Sequence, residues 1–375
     1  MSALLKKFFV AILILSASSF VKANETETEI NTESTSVESA AASEEAHGES
    51  TEEGKEFNPT EVINEHVSDS HQWHLWGDHG HSVHIPLPVI LYTDKGLEIF
   101  SSSTVEHHED VYEGNYNYAL HHEKIQAVDE NGKPLDVTII DISITKNVAQ
   151  MFISVIVLLL VFSKVAKAYH TTGVKTAPSG MQSFLEPMIL FVRDEVAIPN
   201  IGEKKYERFM PLLLSIFFFI LINNLFGMIP IGANLTGNIA FTLVMGAIVL
   251  VVTNINGTKA YWSHVLMPPV PKALYPIMIP VEIIGVFSKP FALVIRLFAN
   301  ITAGHIIIIS LISLIFIAKS VAASIVSVPF ALFIDVLELL VAFLQAFIFT
   351  MLAALFIGGA LDEGHHDEAH ADGHH

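Results

Sequence analysis

The sequence predicts an all-α polytopic membrane protein with a small β-rich module ahead of its helices. Three observations carry that expectation. Of the 375 residues, 51% are hydrophobic and only 16% are charged. The apolar residues gather after residue 147 into runs long enough for the roughly 20 residues a spanning helix needs. The charge is segregated: residues 24–147 hold 26 acidic residues against five lysines, more than the whole chain's net −19, so the rest is close to neutral. Such acidity argues against nucleic acid or an anionic lipid surface as partner of the soluble part. The absence of cysteine excludes disulfides and thiol chemistry.

Taken in order, residues 1–23 have the composition of a secretory signal peptide. Lys6 and Lys7 precede the apolar core Phe8 to Leu15, and Val21-Lys22-Ala23 offers a small-residue cleavage site. Residues 24–57 are rich in Glu, Ser and Thr, with almost nothing to bury, and are expected to be a disordered acidic linker. Residues 58–147 read as an extracytoplasmic β-rich module. HSVHIPLPVILYTDKGLEIFSSS gives two β-prone runs about an Asp94-Lys95-Gly96 turn, and Asn131-Gly132 marks a further turn before LDVTIIDISIT. The linker and module hold eleven of the 19 histidines, and the tail 362–375 is again rich in His and acid. His-rich acidic stretches produce ligand-like spacings without a defined geometry, so no metal site is assigned.

Five spans are expected between 148 and 361. They are Val148 to Ala166, Phe209 to Ile231, a short one over Ile239 to Thr253 starting near Leu235, Pro276 to about Ile317, and Val321 to Leu361. The last two, at about forty residues, would be roughly 60 Å as straight helix, twice the hydrocarbon thickness, so they must tilt or bend as an antiparallel hairpin. Between the first two spans, Phe184, Leu185, Met188, Ile189, Val192 and Val196 have the spacing of an amphipathic helix lying in the interface. Basic residues cluster in the loops after the first and third spans. The positive-inside rule therefore puts those loops and the C-terminus in the cytoplasm, and the module outside.

Arg296, in SKPFALVIRLFANITAGH, carries a permanent charge inside the fourth span. At the centre of a bilayer that costs about 2.5–3.5 kcal/mol or more, so a partner is required. On a helical wheel Ala292, Ala299 and Ala303 fall around Arg296 with Asn300 one turn on, a stripe of small residues that admits another helix. The last span supplies Asp335, Glu338 and Gln345. An antiparallel hairpin turning near Ala318–Val328 pairs Arg296 with Gln345 and His305 with Glu338 in one register. An Arg296–Asp335 salt bridge would instead move the turn into the apolar run near Leu314–Phe316. The arginine would then face a neutral amide, and its carboxylate would come from another protein. His305 and Glu338 suit a proton relay, and Glu282 and Lys289 suggest a second polar path on the cytoplasmic side.

At these residues the chain resembles subunit a of the F-type ATP synthase. The resemblance is carried by PNIGEKKYERFMPLLLSIFFFILINNLFGMIP, SKPFALVIRLFANITAGH and ELLVAFLQAFIFTML, in that order, across most of 148–361. It implies a stator component of the membrane sector in the cell inner membrane, with two proton half-channels. Arg296 would face the carboxylate of the rotating c ring, with Asn300 and Gln345 lining that interface. His305 and Glu338 would line the outer half-channel, with Glu282 and Asp335 as further proton-pathway candidates. The implied partners are the c-ring subunits, the peripheral-stalk b subunit, the rest of the synthase and the lipid bilayer. No cofactor is implied, and no nucleotide is bound directly, since no phosphate-cradling glycine loop is present. The chain would not be catalytic alone. In the enteric form of the family the acid stands at the position of His305 and the histidine at that of Glu338; here they are exchanged. The family's common form has no counterpart to residues 24–147. An autonomous ion transporter or channel is the alternative; it would favour internal repeats, and none is visible.

Overall fold

The computed structural model describes residues 69–76, 83–105, 111–121, 124–129, 132–135, 137–172, 177–229, 232–268, 270–318 and 321–361. The expected signal peptide, the acidic linker and the His-rich tail lie outside the described residues.

The N-terminal part is a pair of small antiparallel sheets and a hairpin. Strands β1 (Gln72–Trp76) and β2 (Val83–Pro86) form the hairpin. Strands β3 (Pro88–Thr93) and β4 (Gly96–Ser101) pair through the two-residue turn Asp94-Lys95, as the turn chemistry predicts. Gly96 follows that turn at φ 125°, a conformation that disfavours any side chain. After β5 (Tyr112–Glu113), β6 (Asn117–His121) and β7 (Lys124–Val128), the short β8 (Ile140–Asp141) returns to the far edge of β3. The sheets β4-β3-β8 and β5-β6-β7 share one core of Val89, Leu91, Phe100, Val105, Tyr118, Leu120, Ile125 and Ala127. Phe100, Tyr112 and Tyr118 stack across it at centroid distances of 4.1 to 6.4 Å.

After a four-residue connection from β8 the chain enters helix α1 (Lys146–Thr172). Helix α2 (Met181–Phe191) runs through a π-helical turn (Val192–Ala197) into the short α3 (Ile198–Ile201). Leu185, Val192 and Val196 bury their side chains against the bundle, while Phe184 stays exposed. Helix α4 (Tyr206–Gly227) is followed by a 3-10 turn at Leu235–Gly237. Helix α5 (Ile239–Ile255) starts cleanly at Asn238, whose Oδ1 accepts from the amides of Ala240 and Phe241. The third span is thus preceded at Leu235 by a separate turn, because Asn238, three residues further on, caps the helix there. Helix α6 (Lys259–Leu266) breaks away from α5 at 106°.

Helices α7 (Tyr275–Ala318, 44 residues) and α8 (Val321–Leu361, 41 residues) form the expected long antiparallel hairpin. Pro280 and Pro290 lie inside α7, and Pro329 inside α8, without ending either helix. Helix α8 packs on α4, and α7 packs on α5. The shared core is built from Leu213, Ile216, Phe217 and Phe219 of α4, Phe241 and Met245 of α5, Leu293 and Leu297 of α7, and Phe349, Ala353 and Ile357 of α8. Small residues set the closest approaches. A side chain at Gly358 would run into the Asn200 carbonyl, so α8 and α3 meet backbone to backbone there. A Cβ at Gly246 would lie 2.5 Å from Val294 Cγ2, so α5 presses directly on the back of α7. Among the described residues four helices are long and apolar enough to cross a membrane, or five if the bent pair α5–α6 counts as one span. The molecule is a polytopic membrane protein.

Candidate functional site

Helix α7 has two unlike faces. Leu293, Val294, Leu297 and Ile301 are buried, forming the side pressed on α5 and the core. Ala292, Arg296, Ala299, Asn300 and Ala303 are exposed. The small-residue stripe predicted from the wheel is therefore an outward surface of the chain, with Arg296 in its middle. No hydrogen bond or ion pair links Arg296 to any described residue. Asp335, the carboxylate considered for an in-chain salt bridge, is itself exposed on α8.

The predicted register shifts by a turn at one end. Gln345 is buried, and its Oε1 accepts from Asn300 Nδ2 at 3.1 Å, so the amide is engaged by Asn300 and not set opposite Arg296. The reason is angular. Four residues along a helix rotate by about 400°, which leaves Asn300 roughly 40° nearer the packed side than Arg296. The other end fits the expected pairing more closely. Glu338 is 6% exposed, and a Cβ at Gly304 would sit 3.0 Å from its Oε1, so the carboxylate packs on the α7 backbone one residue before His305. The His305 side chain lies outside what the structure describes. Glu338, Ala342 and Gln345 form one buried stripe on α8 at i, i+4 and i+7.

Toward the start of α7, Glu282 and Lys289 line a cavity of about 560 Å³ together with Thr253, Asn254, Tyr261 and His264. Glu282, Lys289 and Arg296 follow one another at seven-residue spacing, roughly 10 Å per step along the same side of the helix. Glu282 and Lys289, the residues expected on a second polar path, thus line one cleft, and His264 of α6 lines it with them. Sequence reasoning missed that residue because nothing in a loop histidine announces the 106° bend that turns it toward α7.

Polar side chains also thread the buried bundle. Ser154 Oγ donates to Asn223 Oδ1 at 2.6 Å, Asn224 Nδ2 donates to the Ala342 carbonyl at 3.0 Å, and Thr302 Oγ1 reaches the Gly237 carbonyl at 3.4 Å. Among the described residues no group of three His, Cys, Asp or Glu side chains could hold a metal ion.

In the β module, His71 Nε2 and Asp141 Oδ2 are 2.7 Å apart and largely buried. Burial works against the Asp141 carboxylate. The hydrogen bond and charge of His71, with bonds from Ser143, outweigh it and hold the group below its ordinary value. Beside them, burial pushes the Asp69 carboxyl up, against the charge of Lys146 and hydrogen bonds from Asn147 and Thr145.

A family model described as "ATP synthase A chain" matches residues 148–358, and one described as "Domain of unknown function (DUF8433)" matches residues 62–147. Similar curated proteins include ATP synthase subunit a of Chlorobium phaeobacteroides (strain BS1), 52% identical over 235 residues, which are 61% of this chain and 69% of that one. ATP synthase subunit a 2 of Prosthecochloris aestuarii is 51% identical over 236 residues, covering 61% and 72%. ATP synthase subunit a of Chloroherpeton thalassium is 49% identical over 235 residues, covering 61% and 70%.

Proposed function

Because this chain belongs to the ATP synthase subunit a family, a proton-translocating component of the synthase's membrane sector, we propose that it is the stator half of a rotary proton motor, coupling proton flow to a carboxylate-bearing ring through Arg296. The observation that carries this reading is the exposed Arg296 on its stripe of alanines, without a hydrogen-bond or ion-pair partner among the described residues. A fixed cation on an apolar outer face is tolerable only against a partner that brings a negative charge. The stripe lets that partner's helices come close and pass.

The chemistry follows from elementary electrostatics. A ring carboxylate arriving at Arg296 is held ionised, because an adjacent opposite charge lowers its pKa. Its proton leaves by the cleft of Glu282, Lys289 and His264 toward the cytoplasm. After passing Arg296 the carboxylate takes a proton from the outer path, where Glu338 is the buried carrier, His305 its partner and Asp335 an outlying acid. Neutralised, it can turn into lipid. Asn300 and Gln345, bonded to each other, hold the two long helices in register beside the contact. Each proton moving down the potential supplies about 2.3 kcal/mol per 100 mV. Arg296 also blocks a direct wire between the two paths.

In this reading there are five spans, with α5 and α6 together the third. The basic loops face the cytoplasm of a cell inner membrane and the β module faces outward. The peripheral-stalk b subunit and the ring are direct neighbours, and residues 58–147 and 148–361 are separate domains behind a cleaved signal peptide. Arg296→Ala in the assembled synthase should abolish ATP-driven proton pumping in vesicles and open a passive proton leak. Normal pumping by that variant would overturn the proposal.

A further inference from the structure

The β module and the carboxylate Glu338 stand at opposite ends of a line of buried polar side chains. At the module end Asp69 accepts from Thr145 Oγ1 at 3.0 Å and from the Asn147 amide at 3.2 Å. Asn147, Gln150 and Ser154 then follow on one face of α1, over about 10 Å of helix, and all three are buried. Ser154 meets Asn223 on α4 at 2.6 Å, and the neighbouring Asn224 meets Ala342 on α8 at 3.0 Å. Ala342 is one turn from Glu338 on the same buried stripe. Along this line Asn147 Oδ1, Gln150 Nε2 and Asn224 Oδ1 have no hydrogen-bond partner among the described residues, and nor does Thr236 Oγ1 close by. Buried polar atoms left without a protein partner are costly unless water reaches them. Helix contacts held together by polar side chains would leave no reason for so many orphaned atoms on one line.

We propose that Asn147, Gln150, Ser154, Asn223 and Asn224 form a hydrated lane carrying protons from the β module to Glu338, which makes that module part of the ion path. The proposal rests on the outer half-channel reading above and adds α1 and the module to it. Protons would enter where Asp69, His71, Asp141 and Lys146 gather at the foot of the module.

The chain contains no cysteine, so it serves as its own blank for thiol chemistry. The intact synthase in membrane vesicles would carry Asn147→Cys, Gln150→Cys or Ser154→Cys, with Ile156→Cys as control. Ile156 is 54% exposed on the outer side of α1, two residues past Ser154, the side that would face lipid in the five-span reading. Silver ion should reduce ATP-driven proton pumping to background in the lane variants and leave Ile156→Cys and the cysteine-free chain unaffected. Ser154→Cys changes a hydroxyl to a thiol and keeps the result interpretable should a larger change disturb assembly. Lane variants no more sensitive to silver than Ile156→Cys overturn the lane while leaving the half-channel reading standing, provided Glu338→Gln stops pumping. Normal pumping by Glu338→Gln would instead overturn that reading, and the lane with it.

Discussion

Helices α4 and α7 are comparably apolar, yet two-thirds of the most apolar stretch of α4 is buried within the chain against 12% for α7. In α4, aromatic rings interlock with the neighbours, with Phe217 edge-on to Phe343 and Phe219 tilted on Phe241 at centroid distances of 5.8 and 5.7 Å. In α7 the outward side carries alanines and an arginine, with Phe291 and Ile295 left exposed beside them. One helix belongs to the chain's own architecture; the other carries a face that no described residue covers. Hydrophobicity alone does not separate the two. The size of the side chains and the position of one charge do.

The sharpest break of this comparison would come from bulk on the stripe. Ala299→Trp should eliminate coupled pumping while leaving chain abundance and thermal stability in detergent unchanged. A large loss of stability would show that the stripe is an internal packing face after all. The converse change, Phe219→Ala, should lower stability by about 3 kcal/mol, the low end for such truncations. The reason is that separated helices in lipid are already in an apolar solvent. Denaturation in mixed micelles would read it.

Smaller effects refine the picture. Gly358→Ala should cost about 1–3 kcal/mol, because its methyl meets the Asn200 backbone and not a flexible side chain. Gly359→Ala, with nothing within 4 Å, should be neutral or stabilising in the same assay. A double-mutant cycle on Asn300→Ala and Gln345→Ala should give a coupling of about 0.5–1.5 kcal/mol; a value near zero would dissolve the in-chain clasp. The smallest effect lies in the module. Asp141, held low, contributes stability that is present above its ordinary 3.8 and is lost as pH falls through the lowered value. Asp69, pushed up, runs the other way: its contribution is present below 3.8 and lost as pH rises through the raised value. Asp141→Asn should therefore flatten the acid-side loss of hydrogen-exchange protection in β1 and β8, and Asp69→Asn should steepen it.

The helices, the long hairpin and the outward stripe were legible because helical periodicity and the cost of a buried charge are local facts, readable from Ala292, Arg296 and Ala299 without a partner in view. The β3–β4 turn was legible from Asp94-Lys95-Gly96 for the same reason. Register was not. Pairing Gln345 with Asn300 in place of Arg296 depends on a rotation of about 40°, finer than counting residues across a hairpin can resolve. The cleft holding His264 depends on the bend between α5 and α6, and the line from Asn147 to Asn224 depends on which faces of α1 and α4 meet. Both are tertiary facts, and a lone Asn or Gln in an apolar run does not announce its neighbour.

The exposed arginine also has a consequence for how the protein is made. A newly inserted chain presents Arg296 to lipid until something covers it, at a cost that lipid deformation and snorkelling relieve only in part. Such a chain is a poor long-term resident of a bilayer by itself and a natural target for membrane proteases. On the proposed function, its steady-state amount should follow the supply of the ring that would cover Arg296, rising and falling with it even when its own synthesis is constant.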